Sequence, residues 1–172
     1  MPLIIAFDGS TPSVPESAWV APNATLIGAV ILAERSSVYY GTVLRADINS
    51  ITLGPGSNLQ DNVTVHVEAN SPVVIGAGVS VGHGAVLHGC TIEDDCLIGM
   101  AATVLNGATI GAGTLVAAGA VVLEDSVIPP GSLVAGVPAK VRRALTEQEQ
   151  AGLRANAQRY LSYTEAHRAA VS

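Results

Sequence analysis

Residues 92–134 read IEDDCLIGMAATVLNGATIGAGTLVAAGAVVLEDSVIPPGSLV. Stepping through them by six lands on Ile92, Ile98, Val104, Ile110, Val116, Val122, Ile128 and Val134, every one a β-branched aliphatic. Four residues after each of the first seven stands a small residue: Cys96, Ala102, Ala108, Thr114, Ala120, Ser126 and Ser132. A fixed short period marks a repeat architecture and has to be read before any other signal. Six residues of strand make one flat side, and three sides close a triangular coil. The β-branched residue points inward and stacks on its counterpart in the next coil. The stack buries a continuous apolar column that no single coil buries alone. The small residue also points inward, close to a corner where only a short side chain fits. The glycines, among them Gly99 and Gly111 directly after the aliphatic, read as turn residues that need positive φ.

The beat also disposes of a membrane reading. Leu97 to Leu123 is 27 residues without a charge, longer than the roughly 20 that a membrane helix needs. Gly99, Asn106, Gly107, Gly111, Gly113 and Gly119 interrupt it, and a lipid-facing helix has no use for a six-residue period. Upstream, Leu53, Leu59 and Val65, then Ile75 and Val81, keep the same step, so coils are expected from about Ala21 to Val134. The beat slips in three places: at Ile51–Leu53, between Val65 and Ile75 (a loop at Glu68–Pro72), and between Val81 and Ile92. Slips in a regular solenoid are where function is inserted.

Downstream, Pro129, Pro130 and Pro138 break the ladder. Thr146 with Glu149 forms a capping box, and Leu153, Ala157, Tyr160, Leu161 and Thr164 follow at helical spacing. The expected division is a β-helix with a short N-terminal cap over 1–144, and over 145–172 a helix from Thr146 to about Arg168, packed on the coils, with its tail. Aromatics are only 3 % of a chain that is 49 % hydrophobic, so the core is aliphatic and narrow. A net charge of −6 argues against nucleic-acid and anionic-membrane partners, which need clustered Lys and Arg. Cys90 and Cys96 make no disulfide framework and no signal peptide is seen, so the expected location is cytoplasmic.

Three of the four histidines, His66, His83 and His88, fall in the slipped region; His167 lies on the helix and reads as a solvated surface residue. Three histidines with an open fourth position are a catalytic zinc set. His83 and His88 are separated by five residues of strand, roughly 16 Å when extended, whereas Zn–N bonds are only about 2.0–2.1 Å. One chain therefore does not bring both to one ion. Two chains side by side combine one histidine from one with two from the other, and a three-sided prism offers flat faces for a cyclic trimer. Near them stand Arg45, Asp47, Gln60 and Asp61. Asp61 is suited to a bidentate pair with Arg45 across an interface, and Gln60 to hydrogen-bonding a metal-bound hydroxide.

Val43-Leu-Arg45-Ala-Asp47, Asn58-Leu-Gln60-Asp61-Asn62, Val65-His66-Val67, Val81-Gly-His83-Gly-Ala85 and Leu87-His88-Gly-Cys90 resemble, in order and spacing, the gamma-class carbonic anhydrase family in its shorter bacterial form, without the acidic loop of the archaeal prototype. Pro130-Gly-Ser132 and Gly136-Val-Pro138-Ala-Lys140 resemble the end-of-coil signature of hexapeptide-repeat proteins. The resemblance implies an all-β fold, a left-handed parallel β-helix with a C-terminal helix, assembled as a homotrimer with a metal at each interface. It implies Zn²⁺ (or Fe²⁺ or Co²⁺) held by His66 and His88 of one subunit and His83 of its neighbour, and a carbonate dehydratase-type lyase that hydrates CO2 to bicarbonate through metal-bound hydroxide. Gln60 would orient that hydroxide, Arg45 and Asp61 would form the inter-subunit salt bridge with Asp47 close by, and Tyr160 resembles a helix tyrosine that reaches the site. Of the prototype's two proton-transfer glutamates, one position carries Ile48, the other belongs to the missing loop, and Glu68 does not match. The alternatives are an acyl-CoA thioesterase at the same metal, an acyl-CoA-dependent transferase, and a non-catalytic metal-binding protein. The histidine set disfavours the transferase, which normally uses a histidine base and no metal.

Overall fold

The computed structural model describes residues 1–171; Ser172, the end of the tail segment, lies outside the described residues. The chain winds into a parallel β-helix of about seven turns. One face stacks Trp19–Val20, Ser37–Val38, Asn58–Leu59, Ser80–Val81, Leu97–Ile98, Leu115–Val116 and Ser132–Ala135, and the antiparallel strand Lys140–Ala144 closes it. The other two faces are fused, because Val43–Leu53 runs through the corner as one strand of 11 residues. Its first half pairs with Thr64–His66 and its second half with Val73–Ile75.

All eight aliphatics of the six-residue series are buried, from 0 % exposed at Ile98 to 8 % at Ile128. Of the small residues four positions on, six are buried and only Ser126 is half-buried. The expected slips are found. The long strand carries three extra residues against Thr25–Leu32, since Gly28 pairs with Ala46 but Val30 with Ile51. The insertion after Val65 closes as a tight turn through a Glu68–Ser71 bridge, on which Asn49 donates to the carbonyls of Glu68 and Ala69.

The structure corrects the reading of two glycines. Gly99 and Gly111 are not in the positive-φ region; a Cβ on Gly99 would lie 2.4 Å from the Ala118 nitrogen, and one on Gly111 2.5 Å from the Pro130 nitrogen. They are required by the close approach of stacked backbones. The left-handed corners carry Gly107, Gly113 and Gly119, but also Asp95, Ala101 and Asp125. The ladder also begins earlier than Ala21. Leu3–Ile5 pairs with Thr25–Leu32, and Trp19–Val20 with Ser37–Val38.

The helix spans Glu147–Ala170, capped by Thr146, with both halves of the capping box formed. It buries Leu153, Ala157 and Thr164. Among the described residues no helix is long and apolar enough to cross a membrane. Arg143 grips Glu149 through two hydrogen bonds of 2.7 and 2.8 Å, tying the last strand to the helix start. That pairing, with the backbone N–H of Thr146, lowers the Glu149 pKa from 4.5 to about 2. A depressed carboxylate contributes stability above its ordinary pKa and loses it as pH falls through the depressed one. The helix start is therefore expected to loosen between about pH 4.5 and 2. Far-UV circular dichroism checks this: Glu149→Gln should show a weaker helix already at neutral pH and a flatter acid response.

His167 is not a solvated surface residue. It is half-buried, with its ring 5.5 Å from those of Tyr39 and Tyr40 and 5.8 Å from Trp19, and Nδ1 3.0 Å from the Tyr40 hydroxyl. Trp19, Tyr39, Tyr40 and Tyr160 gather there, where the helix returns to the first coils.

Candidate metal centre

Along one face the outward residues stack in register: Ile5 on Ile27, then Arg45, His66 and His88. Alternation along a strand makes this column point away from the core, while Leu26, Leu44, Val65 and Leu87 point into it. The two histidines face each other, His66 Nδ1 lying 2.8 Å from His88 Nε2. His66 Nε2 is 3.0 Å from Asp47 Oδ1, and the other oxygen of Asp47 pairs with Arg45. Burial alone would raise the Asp47 pKa, but the hydrogen bonds from His66 and Arg45 outweigh it and hold the carboxyl below its usual range. At the far end His88 Nδ1 is 2.5 Å from Asn106 Oδ1. A chain of contacts thus runs Arg45, Asp47, His66, His88, Asn106.

His83 stands apart, at the corner after Ser80–Val81. Its Nδ1 is 2.8 Å from Asp61 Oδ2, and its Nε2 is 3.5 Å from the Tyr160 hydroxyl on the helix. In a metal ligand, one ring nitrogen is held by a carboxylate and the other is left for the ion, and His83 has that arrangement. Gln60 is buried beside it, its Nε2 donating to Asn58 Oδ1, while Asn58 Nδ2 donates to Ser80 Oγ. Burial, then the charge of Asp61, raises the Tyr160 pKa, so its hydroxyl remains protonated. Beyond His83 an open groove of about 450 Å³ continues between Gln60, Leu97, Met100, Leu115, Asn156 and Tyr160.

Within the single chain, and among the described residues, no group of three or more His, Cys, Asp and Glu side chains is placed to hold a metal. The structure brings His66 and His88 together with Asp47 and Arg45, and places His83 with Asp61, Gln60 and Tyr160 as a second group. Arg45 and Asp61 do not pair inside one chain. The donor set fits a divalent ion: two imidazole nitrogens already converge, and a third imidazole is oriented by a carboxylate. The cysteines take no part. Cys90 and Cys96 are buried, and burial pushes both thiols up to about 12, far from the thiolate a metal or a reaction requires. Sequence reading missed Asn106 and the locking of Gln60 by Asn58. Asn106 had a signal, because it lies 18 residues after His88, one full coil of three six-residue sides.

Residues 89–124 match the family model described as bacterial transferase hexapeptide (six repeats). The chain is 54 % identical over 171 residues to the Arabidopsis thaliana protein named gamma carbonic anhydrase 3, mitochondrial, covering 96 % of this chain and 66 % of that one. It is 52 % identical over 146 residues to a probable carbonic anhydrase of Methanocaldococcus jannaschii, covering 85 % of this chain and 92 % of that one. The chain spans 61 to 66 % of the length of the three Arabidopsis relatives it matches. Among solved structures it is similar to a putative acetyltransferase from Bacillus cereus, with a TM-score of 0.96, 34 % identity and 98 % of both chains covered.

Proposed function

Since this chain belongs to the gamma-class carbonic anhydrase family, we propose that it catalyses the reversible hydration of CO2 to bicarbonate at a metal centre shared between the subunits of a homotrimer. One observation carries the reading. The histidines are divided into a facing pair, His66 and His88, and a separate His83 already oriented by Asp61. Each half is incomplete, and the two complete one another only between copies. The aliphatic neighbours of the pair, Ile5 and Ile27 in the same outward column, supply the apolar area that a face covered by a second copy needs.

His66 and His88 of one subunit and His83 of the next would hold Zn²⁺, or Fe²⁺ or Co²⁺. The bound ion would supply a water acidic enough to lose its proton near neutral pH. Asp61 and Asp47 keep the ligand rings from turning, so no reorientation is required when the ion enters. Gln60, fixed through Asn58 and Ser80, presents a rigid amide at the mouth of the groove and orients the reacting oxygen. Tyr160 keeps its proton and donates into the same space. Arg45 is half exposed on the outward face and pairs with Asp61 of the adjoining copy. Ile48, at a position where the archaeal prototype has a glutamate, carries no proton, which favours slow turnover. Two buried, unbridged thiols and the acidic net charge are in keeping with a cytoplasmic location.

A second reading is favoured by the groove. Its volume of about 450 Å³ far exceeds what CO2 fills, and its Leu97, Met100 and Leu115 lining suits an acyl chain, so thioester hydrolysis at the same centre is the competing activity. One experiment separates them. The metal-loaded protein is expected to exchange ¹⁸O between CO2 and water above the buffer rate. A metal-loaded trimer that shows no exchange but releases thiol from a short acyl-CoA overturns the first reading in favour of the second.

A further inference from the structure

We infer that Asn106 is a positioning residue for His88, setting which nitrogen of that imidazole is presented to the metal. The inference rests on the reading of His66, His83 and His88 as ligands. A neutral imidazole carries its proton on one nitrogen and its lone pair on the other, and the hydrogen bond made by the one decides the availability of the other. The Asn106 oxygen accepts and cannot donate. With that oxygen 2.5 Å from His88 Nδ1, the proton sits on Nδ1 and the lone pair on Nε2, the atom that faces His66.

The corner that carries Asn106 is pinned on both sides. The Asp125 N–H donates to the Asn106 carbonyl from the coil above, and the Gly107 N–H donates to Gly89 in the coil below. Gly89 leaves the room for the amide: a Cβ there would lie 2.7 Å from Asn106 Oδ1. The side chain is thus aimed by the stacking itself. An amide at this position also has a reason in charge. His66 and His83 already lean on carboxylates, Asp47 and Asp61. An amide accepts from His88 without adding a charge to that group, in which Arg45 already pairs with Asp47.

The test uses the intact protein with Co²⁺ as the probe metal. Affinity is read by chelator competition, and the His88 tautomer by ¹⁵N NMR of the metal-free protein. Asn106→Leu is expected to weaken Co²⁺ binding about 10- to 100-fold, the range seen when a ligand loses its outer partner. His88 Nδ1 should also lose its proton to Nε2, while the thermal midpoint stays near that of the wild type. Asn106→Asp, which keeps an acceptor in place but adds a charge, should return the His88 proton to Nδ1 and bind Co²⁺ more tightly than Asn106→Leu. A purely structural role would shift the midpoint and leave the tautomer unchanged. If Asn106→Leu does not fold, Asn106→Ala, which removes the acceptor and adds no bulk, carries the same comparison. Asn106→Leu binding Co²⁺ as tightly as the wild type, or a wild-type His88 protonated on Nε2, overturns the assignment. A wild type that binds no Co²⁺ removes the ligand reading as well, and is told apart because every variant then fails alike.

Discussion

His83→Ala is expected to lose stoichiometric metal and to bring CO2–water ¹⁸O exchange down to the buffer rate. The substitution deletes one of the three proposed protein ligands, so its effect on metal affinity should exceed the roughly 10- to 100-fold that follows loss of an outer partner. Without the ion, water would keep its ordinary weak acidity, and no hydroxide nucleophile would be available at neutral pH. The fold should be indifferent, because the His83 side chain is 45 % exposed and is no part of the apolar column. Elemental analysis and exchange rates on the purified variant check this directly. Mixing supplies a sharper form of the result. His83→Ala and His66→Ala are each expected to be inactive alone, yet co-assembled chains should regain activity. A subunit with intact His66 and His88 then meets a neighbour with intact His83. Random mixing round a cyclic trimer restores up to roughly one quarter of the interfaces. No recovery in verified mixed trimers would place all three ligands within one chain and remove the shared centre.

Ile98→Ala is expected to cost about 2–5 kcal/mol, the usual range for emptying a fully buried aliphatic site. Ile98 is 0 % exposed and stacks between Val81 below and Val116 above, with Val134 beyond. A solenoid has no second layer to collapse into the hole, since each coil touches only its neighbours. Domains are stable by only about 5–15 kcal/mol, so a defect in a middle coil removes a large part of the total. Val127, in the end strand of another face and 77 % exposed, provides the control: Val127→Ala should stay within about 0.5 kcal/mol. Urea unfolding of both variants at matched protein concentration measures the difference. Equal midpoints would mean that the inward column does not carry the stability assigned to it.

The coils were legible because each one is made locally. A residue six positions on from an inward aliphatic is again inward, so the burial of Ile92, Ile98, Val104 and their successors follows from period alone. The helix start was equally local, since Thr146 and Glu149 make their reciprocal bonds within one turn. His167 was misread because its burial depends on where the helix ends against Trp19, Tyr39 and Tyr40, more than 120 residues away in the chain. The demand for glycine at Gly99 was assigned to the wrong cause for a similar reason: the obstacle is the backbone of the coil above, at Ala117 and Ala118.

Period and residue type by themselves determined the solenoid, its aliphatic core, the capped helix and the short list of side chains suited to metal chemistry, because all of these depend on neighbours within one or two coils. Only the tertiary structure decided how those side chains meet. Asp47, His66, His88 and Asn106 follow one another at steps of 19, 22 and 18 residues, so no single period connects them. Their alignment depends on the long strand that crosses the corner at Val43–Leu53 and on the tight turn at Glu68–Ser71, each absorbing the extra residues that would otherwise throw the next coil out of register. The placing of His66 and His88 face to face, with His83 apart beside Asp61, likewise follows from which face of the prism each corner turns toward.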